Sequence, residues 1–336
     1  MLIPEGPEAM MLRYWLIALC AVGVATDAAE PPPWSVFLAG VAEEAVAGGV
    51  SRDVVDAAFD GLEPDPRVLG FDRKQPEFVQ TTAQYLVARV TKGRIESARK
   101  HYAAERATLE AVGERYGVDA PFIVAFWGVE SSFGRYQGKY SIIRSVATLA
   151  HDRRRSAFFR SELLQALRIL DEGHVPPEQF VGGWAGAMGQ NQFMPSSFRR
   201  YAQDFDGDGR KDIWQNRGDV WASIAFYLAE HGWRQGKPWG YVSNHPDGFD
   251  FTSVARQDEV TRCRAERSLS AAASAAEWRR LGFELPEGAP VLRLVKPEAG
   301  VTETYFAAAN FETILRYNCA NKYAISVGLL ADAVEP

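Results

Sequence analysis

Phe122-Ile123-Val124-Ala125-Phe126-Trp127-Gly128-Val129-Glu130-Ser131-Ser132-Phe133-Gly134 is the stretch from which the fold is read. An apolar run ends in a single carboxylate, Glu130. The run has helical length, with Asp119 in front as N-cap and Pro121 near the first helical position. Gly134 fits a helix C-terminus. Glu130 is therefore expected near the end of a mostly buried helix, between Trp127 and Phe133. An apolar setting raises a carboxyl pKa, because the charged form loses its hydration. A carboxyl that keeps its proton near neutral pH is suited to general-acid work. A Glu at a helix end is also an ordinary solvated or capping residue, and taken alone the stretch favours that reading.

Gly182 to Ser197 shifts the balance: Gly-Gly-Trp-Ala-Gly-Ala-Met-Gly-Gln-Asn-Gln-Phe-Met-Pro-Ser-Ser. Glycines allow a ligand to approach the backbone closely. The amides Gln190, Asn191 and Gln192 are suited to sugar hydroxyls and acetamido groups. Aromatic rings give sugars a flat apolar face.

These two stretches, Gly128 to Gly134 and Ala185 to Ser197, resemble the family of membrane-bound lytic murein transglycosylase B and its soluble relatives. Asp72-Arg73-Lys74-Gln75-Pro76-Glu77-Phe78 and Arg316-Tyr317-Asn318 resemble further blocks of that family. The likeness runs from about Trp34 to the C-terminus, with the motifs in the family order. It implies an α+β, predominantly α fold with a lysozyme-like helical catalytic core, a flanking helical segment and a small β-containing insert. It also implies cleavage of the MurNAc–GlcNAc bond of peptidoglycan with Glu130 as single acid and base, closing a 1,6-anhydro ring. By position, the resemblance assigns Tyr85, Arg154, Arg155, Gln192, Phe193, Tyr227, Tyr317 and Asn318 to the substrate groove. Gly183 and Ala320 depart from the family, which often carries Ser at both places.

Ordinary glycosidases place two carboxylates across the scissile bond. Of the acids in this chain, only Glu130 lies in an apolar motif. A muramidase that hydrolyses the same bond is the alternative. A non-catalytic wall-binding protein is a third reading, against which the retained Glu130 stands.

The second chemical motif is Asp204-Phe205-Asp206-Gly207-Asp208-Gly209-Arg210-Lys211-Asp212. Side-chain oxygens fall at alternate positions and Gly209 stands at the turn, as in the first nine positions of an EF-hand loop. Asp204, Asp206, Asp208 and the Arg210 carbonyl are the candidate ligands of a structural calcium. Position twelve is Gln215 rather than Glu. The resemblance implies a longer loop in which Asp219 supplies the late acidic ligand.

With 47% hydrophobic and 24% charged residues the composition is that of a folded protein. A net charge of -6 argues against a nucleic-acid partner. The expected partner is the glycan strand, with other cell-wall enzymes as further candidates and a monomer as the state. No organic cofactor is expected.

In chain order, residues 1–28 read as a secretory signal peptide: Arg13, an apolar run from Tyr14 to Val24, then small residues. Leu19 before Cys20 does not fit a lipobox, so a soluble periplasmic enzyme is expected rather than an anchored one. Residues 34–112 read as an N-terminal helical domain, with one long helix over 78–109 whose Lys and Arg form a solvated face. Residues 113–244 form the expected core, with the metal loop at 204–219. Residues 245–308 are expected as the β-containing insert, with strands near 291–295 and 302–306, and 309–336 as closing helices. His151 reads as a surface residue. Cys263 and Cys319 form either a disulfide or two buried thiols.

Overall fold

The computed structural model describes residues 31–72, 80–152, 154–260 and 263–335. The expected signal peptide and residues 73–78 of the Asp72–Phe78 motif lie outside these. Among the described residues, no helix is long and apolar enough to cross a membrane.

The N-terminal third is helical: α1 (Trp34–Ala47), α2 (Arg52–Phe59), α3 (Pro66–Asp72), α4 (Thr82–Arg89), α5 (Lys92–Ala104) and α6 (Arg106–Tyr116). The single long helix expected over 78–109 is three helices instead. Two threonines set the first two of these starts. Thr81 begins α4 in a capping box with Gln84, and Thr91 explains the first break by capping α5, accepting from Arg94 N. Such side chains offer backbone N–H groups a local partner and so favour a new helix start over continuation.

The core follows with α7 (Ala120–Ser131), β1 (Tyr140–Ser141), α8 (Ile142–His151), α9 (Ser156–Asp171), β2 (Val181–Gly182), α10 (Pro195–Tyr201) and α11 (Arg217–Glu230). Helix α7 is apolar on every side, as its sequence requires of a central helix. It is packed by α5, α6, α11 and, from the end of the chain, α14 (Asn321–Asp332). His151 is half-buried rather than free on the surface: its Nε2 pairs with Pro32 O at 2.7 Å, and its ring meets Trp34 and Phe37.

Between α11 and α14 lie β3 (Gly240–Asn244), α12 (Ala275–Arg280), β4 (Arg293–Leu294), β5 (Glu303–Ala307) and α13 (Phe311–Tyr317). The strands form an antiparallel sheet in the order β3-β5-β4, with Gly240 opposite Ala307 and Leu294 opposite Phe306. The first strand starts at Gly240, ahead of the expected boundary, and the apolar run 291–295 supplies a strand of only two residues. This part has its own apolar cluster around Trp278, Phe283, Leu294 and Phe306. Its ties to the helices include two hydrogen bonds and a disulfide. Thr82 N donates to Glu298 at 2.6 Å, Trp239 Nε1 donates to Asp332 at 2.9 Å, and Cys263 is bonded to Cys319 with Cα atoms 5.6 Å apart.

Candidate active site

Glu130 sits half-buried one residue before the end of α7. The start of that helix is anchored from outside. Asp119 makes no side-chain cap; its carboxylate accepts from Trp233 Nε1 and Gly236 N, both at 3.0 Å. The end is built from three left-handed residues in succession: Ser132 (φ 50°), Phe133 (φ 61°) and Gly134 (φ 83°). The helix therefore stops at Ser131, three residues before the glycine that the sequence marks as its end. Left-handed backbone costs an L-residue roughly 1–2 kcal/mol, so such a turn persists only where its surroundings hold it. Here Ser131 Oγ accepts from Gly134 N at 3.0 Å, and Arg94 Nη2 donates to Ser132 Oγ at 3.0 Å. Gly134 is required twice over: a Cβ there would lie 2.4 Å from Gln190 Oε1.

That Gln190 oxygen accepts from Trp127 Nε1 at 2.7 Å, and Gln190 Nε2 donates to Trp214 O at 2.8 Å. The glycine-rich stretch is thereby fixed to α7 through a buried amide. The stretch doubles back on itself, with Met188 N donating to Phe193 O at 2.8 Å and Phe193 N to Met188 O at 3.1 Å. Gln192 has φ 52°, and its Nε2 donates to Gly189 O at 2.8 Å and Gln137 O at 3.2 Å.

Tyr323 of α14 donates its hydroxyl to Glu130 Oε1. Burial first, and then the Glu130 charge, push the Tyr323 and Tyr317 hydroxyls well above the usual tyrosine range. Both therefore stay protonated donors at neutral pH. The Tyr317 hydroxyl donates a hydrogen bond to Asn191 O at 2.6 Å, and the Tyr227 hydroxyl donates one to Arg316 O at 2.7 Å. Phe126, Tyr317, Phe193 and Tyr227 are in ring contact in sequence, with centroids 4.8 to 5.7 Å apart. Phe126 also meets Tyr323. Tyr85 of α4 is buried beneath the cations of Lys322 and Arg89.

The structure thus brings Glu130, Tyr323, Tyr317, Phe193 and Tyr227 into one wall. Asn318 lies further along, in a cleft of about 370 Å³ shared with Arg264, Asn321 and Lys322. Arg154 and Arg155 stand at the corner between α8 and α9. Arg154 N donates to Asp152, and the Arg155 guanidinium lies 4.9 Å from the centroid of the Phe159 ring.

In the acidic loop, carboxylate oxygens of Asp204, Asp206 and Asp219 lie within 4.8 Å of one another. Asp219 is fully buried at the start of α11, accepting from Phe205 N at 2.8 Å and Asp212 N at 2.7 Å. Burial, helped by the Asp206 and Asp204 charges, pushes its carboxyl up to about 6. Three crowded hard oxygens, one without solvent, fit a divalent cation such as calcium. Of the expected carboxylate ligands, Asp208 is not part of this convergent group: its carboxylate accepts from Arg210 N at 2.8 Å. Arg210, whose backbone carbonyl is the expected ligand, donates through its guanidinium to His174 O at 3.3 Å.

A family model described as "Transglycosylase SLT domain" matches residues 34–332. The chain belongs to this family. Over 226 residues it is 35% identical to membrane-bound lytic murein transglycosylase B of Escherichia coli (strain K12), covering 65% of this chain and 58% of that protein. It thus spans less than two thirds of that curated relative. SltB3 from Pseudomonas aeruginosa superposes with a TM-score of 0.81 over 90% of this chain and 79% of that one. SltB3 was solved with NAG-NAM-pentapeptide (38% identity) and with NAG-anhNAM-pentapeptide (39% identity). Escherichia coli Slt35, solved in complex with calcium, is 27% identical with a TM-score of 0.73 over 92% of this chain and 94% of that one.

Two features of this SLT-domain chain escaped the sequence reading. Tyr323 carries no local signal beyond a hydroxyl-bearing aromatic in an otherwise aliphatic helix; only the packing of α14 on α7 brings it to Glu130. Arg94 looked like part of a solvated face, but it is half-buried against the turn that follows the catalytic candidate.

Proposed function

We propose that the chain is a peptidoglycan lytic transglycosylase that cleaves between N-acetylmuramic acid and N-acetylglucosamine. The observation that carries this reading is the Tyr323–Glu130 hydrogen bond at the end of a buried helix, inside an aromatic wall. The likeness to SltB3, solved with NAG-anhNAM-pentapeptide, supports the transglycosylase form of the chemistry.

In this reading Glu130 gives its proton to the glycosidic oxygen, and the bond from that oxygen to C1 of the muramic sugar breaks. The substrate's N-acetyl group stabilises the developing charge at C1. The Glu130 carboxylate then takes the proton of the C6 hydroxyl, whose oxygen bonds to C1 and closes the anhydro ring. Because the nucleophile is a hydroxyl of the substrate itself, one carboxylate suffices for both transfers. Tyr323 holds the carboxyl in one orientation, which keeps the reacting atoms in line. Gln192 and Phe193 serve the acetamido group and the sugar face, with Tyr85, Tyr227, Tyr317 and Asn318 along the strand and Arg154 and Arg155 toward its peptide substituents.

Asp204, Asp206 and Asp219 hold a structural calcium in this reading, neutralising an acidic cluster of which Asp219 is the buried member. A periplasmic location accords with the Cys263–Cys319 bridge, since disulfides persist in oxidising compartments. Residues 34–112, 113–244, 245–308 and 309–336 are read as the four parts of the enzyme.

The test is mass spectrometry of muropeptides released from purified sacculi by wild type and by Glu130→Gln. Anhydro-ended products from wild type, lost by several orders of magnitude in the variant with its fold intact, are expected. Reducing ends would make it a muramidase, and no products from wild type a binding protein.

A further inference from the structure

On the far side of the turn that follows Glu130 is a second cavity, of about 450 Å³, whose lining includes Arg94, Ser97, Lys100, His101, Ser132 and Arg135. Among the described residues, no Asp or Glu lines it. Among the described residues, Arg94, Lys100 and Arg135 form no ion pair. Arg94 is half-buried, and burial together with the neighbouring Arg89 charge lowers its pKa. A half-buried cation without a carboxylate beside it is costly unless an anion arrives. The hydroxyls of Thr91, Ser97 and Ser132 add neutral hydrogen-bonding groups.

The cavity is joined to the catalytic turn. Arg94 donates through Nη1 to Arg89 O at 2.6 Å and through Nη2 to Ser132 Oγ at 3.0 Å. Ser132 and Phe133 form part of its wall. Two residues of chain span at most about 7 Å, so the wall begins within that distance of Glu130 along the backbone.

We propose that this basic pocket receives carboxylates of the stem peptide carried by the glycan strand. The inference rests on peptidoglycan being the substrate. The sugars of the strand offer the pocket no comparable charge, whereas the peptide hanging from the muramic sugar carries several carboxylates. The volume exceeds what a single carboxylate needs and suits a short acidic peptide. Lys100 and Arg135 at the rim supply the attraction, and Arg94 behind them relays occupancy to the turn that positions Glu130.

The experiment uses the full chain carrying Glu130→Gln and a synthetic stem peptide with free carboxylates, titrated by calorimetry or NMR. The same peptide with its carboxylates amidated is the control. Lys100→Gln/Arg135→Gln is expected to weaken the free-acid peptide about tenfold, the size of one lost charge-assisted contact. Lys100→Arg/Arg135→Lys is expected to keep the affinity. In the active enzyme, the charge-removing pair should raise KM for peptide-bearing strands and leave KM for amidase-stripped strands unchanged. Equal affinity in both proteins, or no binding of the free-acid peptide, overturns the proposal. Absence of any muropeptide product, anhydro or reducing, from wild type would sink the substrate reading instead, and the binding measurement does not depend on turnover.

Discussion

Tyr323 on the last helix of the chain donates its hydroxyl to Glu130 Oε1, joining residues 193 positions apart. Removing that donor leaves the aromatic ring and its packing on Phe126 in place. A hydrogen bond to a charged group is worth about 1.5–3 kcal/mol. Tyr323→Phe is therefore expected to lower kcat roughly ten- to a hundredfold with KM little changed. A kcat equal to wild type in steady-state assays would show that the bond does not position the carboxyl.

The acidic loop separates a motif reading from a structural one. Sequence spacing makes Asp208 a candidate ligand and the family resemblance adds Asp219, but among the described residues only Asp219 converges with Asp204 and Asp206. Chelation is expected to lower the melting temperature of wild type, since a ligand at a hundredfold excess over its Kd stabilises by about 2.7 kcal/mol. The chelator effect should vanish in Asp219→Asn and survive in Asp208→Asn. Scanning calorimetry of the three proteins, with and without chelator, checks it; an unmoved wild-type curve would remove the calcium site.

Much of this was legible in the chain. The apolar helix with Glu130 near its end and the acidic loop follow from local rules of burial and turn chemistry. What was hidden depends on distant partners. The pairing of Cys263 with Cys319 requires the β-containing insert to fold back on the segment between α13 and α14. The left-handed Ser132 and Phe133 are held by Arg94 and by packing, so no turn residue announces them. The Arg94 pocket looked solvated because a helical face of Lys and Arg reads the same whether it meets water or a cavity.

Ala320 is the N-cap residue of α14, with φ -145° and ψ 125° and no side-chain cap bond. A serine in that conformation caps a helix, and the gain over alanine is typically about 1 kcal/mol. Ala320→Ser is expected to raise the unfolding free energy by that amount and leave kcat unchanged. Gly183→Ser should do the reverse. A Cβ at Gly183 meets Gln192 Oε1 at 3.5 Å, an ordinary contact, so the hydroxyl comes within reach of a groove residue. Its effect is expected in turnover, with stability within about 0.5 kcal/mol of wild type. Urea titrations and kinetics on both variants decide between these assignments.

His101 packs its ring against Trp127 and Phe133, with centroids 4.9 and 5.0 Å apart. Burial first, then the Arg217 and Lys100 charges, hold its pKa below the usual histidine value of 6.5. Where a folded-state pKa lies below the unfolded one, the unfolded chain binds more protons in the interval between them. Stability is then complete above pH 6.5 and is lost as the pH falls through the folded value. His174 is held low by burial too and adds a loss of the same sign. His101→Phe keeps the ring and removes the titration. Its stability is expected to fall less between pH 7.5 and 5 than that of wild type, and the difference between the two curves isolates His101. Parallel curves from chemical denaturation across that range would show that the ring is protonated as readily in the folded protein as in the unfolded one.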